Sequence, residues 1–166
     1  MNWQKIAQNL KKNYEKKGER RLKEMKKDYF NQKEVNKILK NNNPIIYKTY
    51  TRDFDKDHFI TLTVIKKGNI DGEYYMTKGH LHKVPSKEDY ILIKGKGVVL
   101  MENEKNSKIV NLKKNKKINV PKNYAHRTIN NGDENLEFLS IYKKDAGHDY
   151  RVGFKRRLFK NYISSI

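Results

Sequence analysis

With 166 residues, the chain is long enough to predict one domain that buries a real core without covalent staples. Basic residues outnumber acidic ones 38 to 19, a net charge of +19, yet 36% hydrophobic and 11% aromatic content exclude a disordered polycation. The absence of cysteine excludes disulfides, thiolate metal sites and cysteine nucleophiles, so any metal must be held by His, Asp or Glu. No stretch approaches the ~18 consecutive apolar residues of a membrane helix, and Met1 to Asn13 holds no apolar block of signal-peptide length. A soluble, cytoplasmic protein is the expectation.

Trp3, Ile6, Ala7, Leu10 and Tyr14 recur at helical spacing, which predicts an amphipathic helix over the first 17 residues ending near Gly18. A second helical pattern carries Leu22, Met25 and Tyr29 and then Val35, Ile38 and Leu39, is interrupted near Asn31, and stops at Asn41-Asn42-Asn43-Pro44. From Ile45 the period falls to two, as in Ile45 to Tyr50 and His58 to Ile65, with β-branched and aromatic residues that predict strands. Turn residues at Gly68-Asn69, Asp71-Gly72, Pro85-Ser86, Gly95 to Gly97, Asn103 to Ser107, Pro121 to Asn123 and Asn130 to Asp133 divide the remainder into about eight or nine short strands. Short strands without intervening helices mean a β-sandwich or closed barrel. The expected organisation is a helical segment over 1–43 packed on a barrel of 44–153, with a tail over 154–166.

The charge invites a phosphate-rich partner, because counterion release favours nucleic-acid binding. Its distribution argues otherwise. Residues 1 to 40 carry 13 basic and 5 acidic residues, +8 of the total, and the remaining +11 is scattered. Lysine outnumbers arginine 31 to 7, whereas base readout and bidentate phosphate clamps favour arginine. Lysine, asparagine and isoleucine rise together, so the charge reads as compositional bias with mild steering of small anions, and no specific nucleic-acid partner is expected. Lys78, Lys94 and Lys96 are expected to face solvent.

His80 and His82 lie two apart in Thr77-Lys78-Gly79-His80-Leu81-His82. On a strand both imidazoles point to the same face. Glu88 opens another strand pattern after the Pro85-Ser86 turn, and His126 enters from a third after Pro121. Three imidazoles and one carboxylate suit Fe, Mn, Ni, Co or Zn and leave positions open for chemistry.

Gly79-His80-Leu81-His82, Glu88, Gly95 and Gly97 resemble the first cupin motif, and Pro121 with His126 resembles the second. The fold implied is an all-β cupin jelly-roll barrel with N-terminal helical segments. Thr77 to His82, Lys94 to Gly97, Ala125-His126-Arg127-Thr128 with Asn130, and Asp145-Ala146-Gly147-His148-Asp149-Tyr150 are similar to the cupin-type glucose-6-phosphate isomerases of archaea and some bacteria. The likeness extends upstream through Arg20-Arg21-Leu22, Tyr29-Phe30, Pro44, Tyr47 and Tyr50. The interval from His82 to Glu88 is one residue shorter than the family's. Glu88 is taken over Asp89 as the ligand because Tyr90 then completes the family's Glu-x-Tyr.

The resemblance implies an isomerase of glycolysis or gluconeogenesis that interconverts glucose 6-phosphate and fructose 6-phosphate through a metal-stabilised cis-enediol or a hydride shift. It implies one divalent ion per subunit, Fe2+ first and Mn2+, Ni2+, Co2+ or Zn2+ as alternatives, on His80, His82, Glu88 and His126. Glu88, Tyr142 and His148 are the implied catalytic residues, and Tyr47, Thr63, Thr77, Gly79 and Tyr90 the implied phosphate site. A carboxylate beside a cation is a weak base, so Tyr142 and His148 compete with Glu88 for the proton. The resemblance also implies a homodimer. A catalytically silent cupin that senses a sugar phosphate or metal is the alternative reading, and a basic nucleic-acid-binding module the third.

Overall fold

The computed structural model describes residues 1–165. Helix α1, Trp3–Leu10, is followed by strand β1, Lys16–Arg21, a 3₁₀ segment, Leu22–Asp28, and helix α2, Gln32–Asn41. The β region then runs through β2, Ile45–Asp53; β3, His58–Ile65; β4, Asn69–Ile70; β5, Glu73–Tyr74; and β6, Leu81–His82. It continues with β7, Glu88–Lys94; β8, Val98–Glu102; β9, Ser107–Asn111; β10, Lys117–Val120; and β11, Ala125–Ile129. The last strands are β12, Leu136–Lys143; β13, His148–Asp149; β14, Arg156–Phe159; and β15, Tyr162–Ser165.

Six strands in the order β1-β2-β3-β12-β7-β10 form one wall, and β11-β8-β9 form a second. One apolar core joins the walls, with Tyr90, Leu92 and Phe138 from the first and Val99, Leu100 and Ile129 from the second. This is the β-barrel architecture that the turn spacing predicts and the jelly roll that the cupin resemblance implies.

Period-two alternation gives the six-stranded wall two different faces. Register aligns Thr51, Thr61, Ser140 and Tyr90 across β2, β3, β12 and β7, with Thr49, Thr63, Phe138 and Leu92 in the adjacent row. These side chains face the barrel interior. On the opposite face Leu62, Leu139 and Ile91 align with Tyr50, and Ala7 and Leu10 of α1 pack on them together with Ile60 and Ile93. A strand apolar on one face for a helix and polar on the other for a cavity reads as mixed threonine and aliphatic residues, as in Ile60-Thr61-Leu62-Thr63.

Two helical expectations need correction. The first helix ends at Leu10 rather than near Gly18, because Lys16 to Arg21 pair antiparallel with β2 and their backbone groups are satisfied by the sheet. The second pattern is two elements. Leu22 and Met25 are buried from a 3₁₀ turn, in which residues three apart share a face, and Tyr29 is extended before Asn31 caps α2 by accepting from Glu34 N–H. The stop at Asn41 is as expected. The described residues form fifteen strand segments rather than the eight or nine expected, through two-residue pieces and through β1, β14 and β15, which lie outside the 44–153 stretch expected to form the barrel.

Leu10 is 0% exposed, so Leu10→Ala is expected to cost about 3 kcal/mol through lost transfer energy and a residual cavity. Urea unfolding measures this. A cost below about 0.5 kcal/mol, the scale of ordinary surface substitutions, would mean that α1 contributes nothing to the sheet it covers.

Candidate active site

Three short segments bring the histidines together. His80 and His126 exchange backbone hydrogen bonds, His80 N–H to His126 O at 3.1 Å and His126 N–H to His80 O at 2.9 Å. His82 lies in β6, paired across from His148 in β13. Glu88 opens β7, opposite Tyr142 on one side and Val120 on the other. Gly79 sets this convergence: at φ +78° a Cβ there would sit 2.6 Å from the Phe154 ring and 3.0 Å from Arg127 Cβ, a conformation and approach that only glycine takes without strain.

Glu88 is 3% exposed and His126 1%. A single oxygen, Glu88 Oε2, lies 2.8 Å from His126 Nε2, 3.3 Å from His82 Nε2 and 3.7 Å from His80 Nε2. The four ligand atoms lie within 4.8 Å of one another. His82 Nδ1 lies 3.2 Å from Ser86 O and 2.9 Å from Ser86 Oγ, and His126 Nδ1 lies 3.0 Å from Tyr124 O. A carbonyl oxygen only accepts, so both Nδ1 atoms donate, which leaves Nε2 of each ring as the nitrogen that faces Glu88 and would bind a metal ion. His80 Nε2 is buried without a hydrogen-bond partner.

Burial holds His80 neutral, its pKa lowered to about 2, with the neighbouring His126 adding to the effect. At Glu88 burial opposes ionisation, but His126 and His82 beside the carboxyl outweigh it and hold the group well below the usual carboxylate range. An ionised carboxylate ringed by inward-facing imidazole nitrogens fits a divalent transition ion: N₃O donors, with room for substrate oxygens.

The cluster closes one side of a cavity of about 230 Å³. Tyr47, Thr63, Thr77, Gly79, Glu88, Tyr90, Tyr142 and His148 all line it, so the structure brings the residues named from the sequence to one space. His82 stands at the cluster itself, off the cavity wall. Asp89, the alternative to Glu88, points away and pairs with Lys117 Nζ at 2.8 Å and Asn119 Nδ2 at 2.9 Å. The His148 ring centre is 3.9 Å from that of His80, its Nδ1 is 3.2 Å from Tyr150 Oη, and its Nε2 has no hydrogen-bond partner. Tyr142 Oη lies 3.1 Å from Thr61 Oγ1, and burial raises its pKa. Burial likewise raises Tyr47 to about 12 and Tyr90 well above its ordinary value, so both are hydroxyl donors at neutral pH. Thr77 Oγ1 accepts from Thr128 N–H at 3.0 Å and keeps its own proton to donate.

Thr49, Thr51, Thr61, Ser140 and Phe138 also line the cavity and carry no role in the sequence reading, and Tyr150, known there only as the end of the Asp145–Tyr150 motif, lines it too. The signal was present, since they sit two or four residues from positions that carry one. Lys94 and Lys96 are exposed as expected, whereas Lys78 is half-buried with its ammonium 5.8 Å from the Tyr150 ring centre.

Fold and site together define a cupin with a three-histidine, one-carboxylate centre. Oxalate decarboxylase of Bacillus subtilis, a protein described with Mn(II) centres, is similar over 60% of this chain and 26% of its own, at 26% identity and a TM-score of 0.50. Residues 22–165 match the family described as glucose-6-phosphate isomerase. The glucose-6-phosphate isomerase of Thermococcus litoralis is 36% identical over 140 residues, 81% of this chain and 74% of its own, and that of Thermococcus onnurineus 39% identical over 136 residues, 79% and 71%. The chain belongs to the glucose-6-phosphate isomerase family.

Ser86→Ala removes the hydroxyl held on His82 Nδ1 and leaves the carbonyl. It is expected to weaken divalent-metal affinity about tenfold, the usual effect of losing a group that orients a ligand. Competition with a chromogenic chelator measures it. Unchanged affinity would mean that Ser86 O alone orients His82.

Proposed function

We propose that this protein interconverts glucose 6-phosphate and fructose 6-phosphate in the cavity bounded by His80, His82, Glu88 and His126. The observation that carries this reading is the position of that donor set: it closes a hydroxyl-lined cavity in a chain of the glucose-6-phosphate isomerase family. The four side chains hold one divalent ion, Fe2+ first, with Mn2+, Ni2+, Co2+ and Zn2+ compatible with the same donors. When bound, the ion supplies a Lewis acid for the oxygens at C1 and C2 of the open-chain sugar.

The chain's own groups divide the remaining work. Tyr47, Thr63, Thr77 and Tyr90 donate hydroxyl hydrogens to the phosphate, and the Gly79 backbone lies within the same wall. Glu88 is committed to the cluster, and its depressed pKa makes it a poor base. His148, oriented at Nδ1 by Tyr150 and unpartnered at Nε2, takes and returns the proton at that nitrogen. Tyr142 Oη, fixed by Thr61, serves the sugar hydroxyls beside it. The hydrogen moved between C2 and C1 either passes through such a base or shifts as hydride without one.

The protein acts in the cytoplasm as a homodimer in this reading. The six-stranded wall ends on β10, an edge without a partner strand among the described residues, and a paired or covered edge is the usual outcome. The scattered lysine excess needs no nucleic-acid partner.

A coupled assay with fructose 6-phosphate tests the reading. Metal-loaded protein is expected to turn over, chelator to abolish turnover, and His148→Asn to lower kcat about 10²-fold or more, the range for a general base, at unchanged metal content. On the same preparation light scattering should give twice the 19.8 kDa chain mass. Metal-loaded wild type without turnover would contradict the isomerase and favour the silent cupin; full turnover in His148→Asn would remove His148 as the proton acceptor.

A further inference from the structure

A second cavity of about 480 Å³ lies between the 3₁₀ segment and the stretch that follows Tyr150. Lys23, Lys26, Lys27, Lys78, Arg127 and Arg157 line it, against the carboxylates of Glu24 and Asp28 alone. Both acids are already matched by arginines, Glu24 by Arg20 at 3.3 Å and Asp28 by Arg127 at 3.2 Å, and Arg157 is held by Glu73 at 2.7 Å. Among the described residues, Lys23, Lys26 and Lys27 therefore share the concavity with no carboxylate at ion-pair distance, and Lys78 acts on Asp28 only from farther off.

The floor is built from buried cations. Arg127 is 4% exposed, and its Nε, like that of Arg157, is buried with no hydrogen-bond partner. Cations gathered on a concave, low-dielectric wall repel one another and focus a positive potential into the space they enclose. An anion there reverses the repulsion. A phosphate group, with several acceptor oxygens and up to two charges, suits such a wall better than a single carboxylate does.

The same residues touch the catalytic side. Arg127 follows His126 in β11, and its Nη2 donates to Lys78 O at 2.6 Å, two residues before His80. Tyr150 lines both cavities and holds His148 Nδ1 at 3.2 Å. We propose that this second cavity binds a phosphate-bearing small molecule and that its occupancy is transmitted to the catalytic cavity through Arg127, Lys78 and Tyr150.

Equilibrium dialysis of the metal-loaded protein against labelled inorganic phosphate, at constant ionic strength, tests the site without requiring turnover. Its outcome is therefore separate from that of the isomerase assay. The Lys23→Ala/Lys26→Ala/Lys27→Ala variant removes three exposed ammonium groups and leaves the buried Leu22 and Met25 in place. Wild type is expected to bind one more phosphate per chain than this variant, whether or not the catalytic cavity takes a phosphate of its own. Equal numbers would overturn the site, and so would a variant that differs only in losing an oligonucleotide held at about 200 mM salt, the mark of a nucleic-acid surface. In the fructose 6-phosphate assay, phosphate should change kcat in wild type and raise only KM in the variant. Identical kcat responses would overturn the coupling.

Discussion

A carboxylate buried among three imidazoles is the constraint on which the rest of the molecule depends. Removing an ionised group from water costs several kcal/mol unless partners replace the lost hydration, which at Glu88 falls to His126 and His82, at 2.8 and 3.3 Å, as N–H donors. Those nitrogens stand where they do for backbone reasons. The His80–His126 hydrogen-bond pair fixes the separation of two rings, Gly79 allows the chain to press against Phe154 and Arg127, and the carbonyls of Ser86 and Tyr124 orient the outer nitrogens. None of these supports is a metal ligand, and each decides whether the ligands converge.

The wall that carries Glu88 is built to be different on its two faces. Inside, hydroxyls and tyrosines pave the cavity; outside, Leu62, Ile91, Ile93 and Leu139 lie beneath α1. The helix thus lets the sheet remain apolar on its outer face, and the polar residues are concentrated where a sugar phosphate needs donors. The terminal segments are tied in by charge. Buried Glu102 accepts from Lys155 N–H at 2.7 Å and Arg156 N–H at 3.0 Å, and Glu73 joins Arg157 to Phe30 N–H. The Glu73–Arg157 pair holds one wall of the second, basic cavity.

Much of this is legible in the residues themselves. His80 and His82 at strand spacing, a carboxylate after a turn and His126 after Pro121 suggest the donor set by strand periodicity, and the family resemblance chooses Glu88 over Asp89 within it. The strands from Ile45 to Ile65 are equally plain. What resists reading depends on distant partners: Lys16 to Arg21 carry no strand pattern and become β1 only because β2 offers an edge. Leu22, Met25 and Tyr29 satisfy a helical period, but the turn is 3₁₀ and the chain is extended at Tyr29. Thr49, Thr51, Thr61 and Ser140 look like ordinary β-formers until the register places them on the cavity side, and the basic cavity arises from residues more than a hundred positions apart.

The central claim is that His80, His82, Glu88 and His126 act together on one ion. The most direct measurement is elemental analysis of protein reconstituted with a divalent metal and freed of excess by gel filtration, for the wild type and for His80→Ala, His82→Ala and His126→Ala. The account predicts one ion per chain in the wild type and loss of most of it in each variant, with β-sheet circular dichroism unchanged, because each ligand removed weakens the same centre. A His126→Ala protein that keeps a full ion per chain would contradict it.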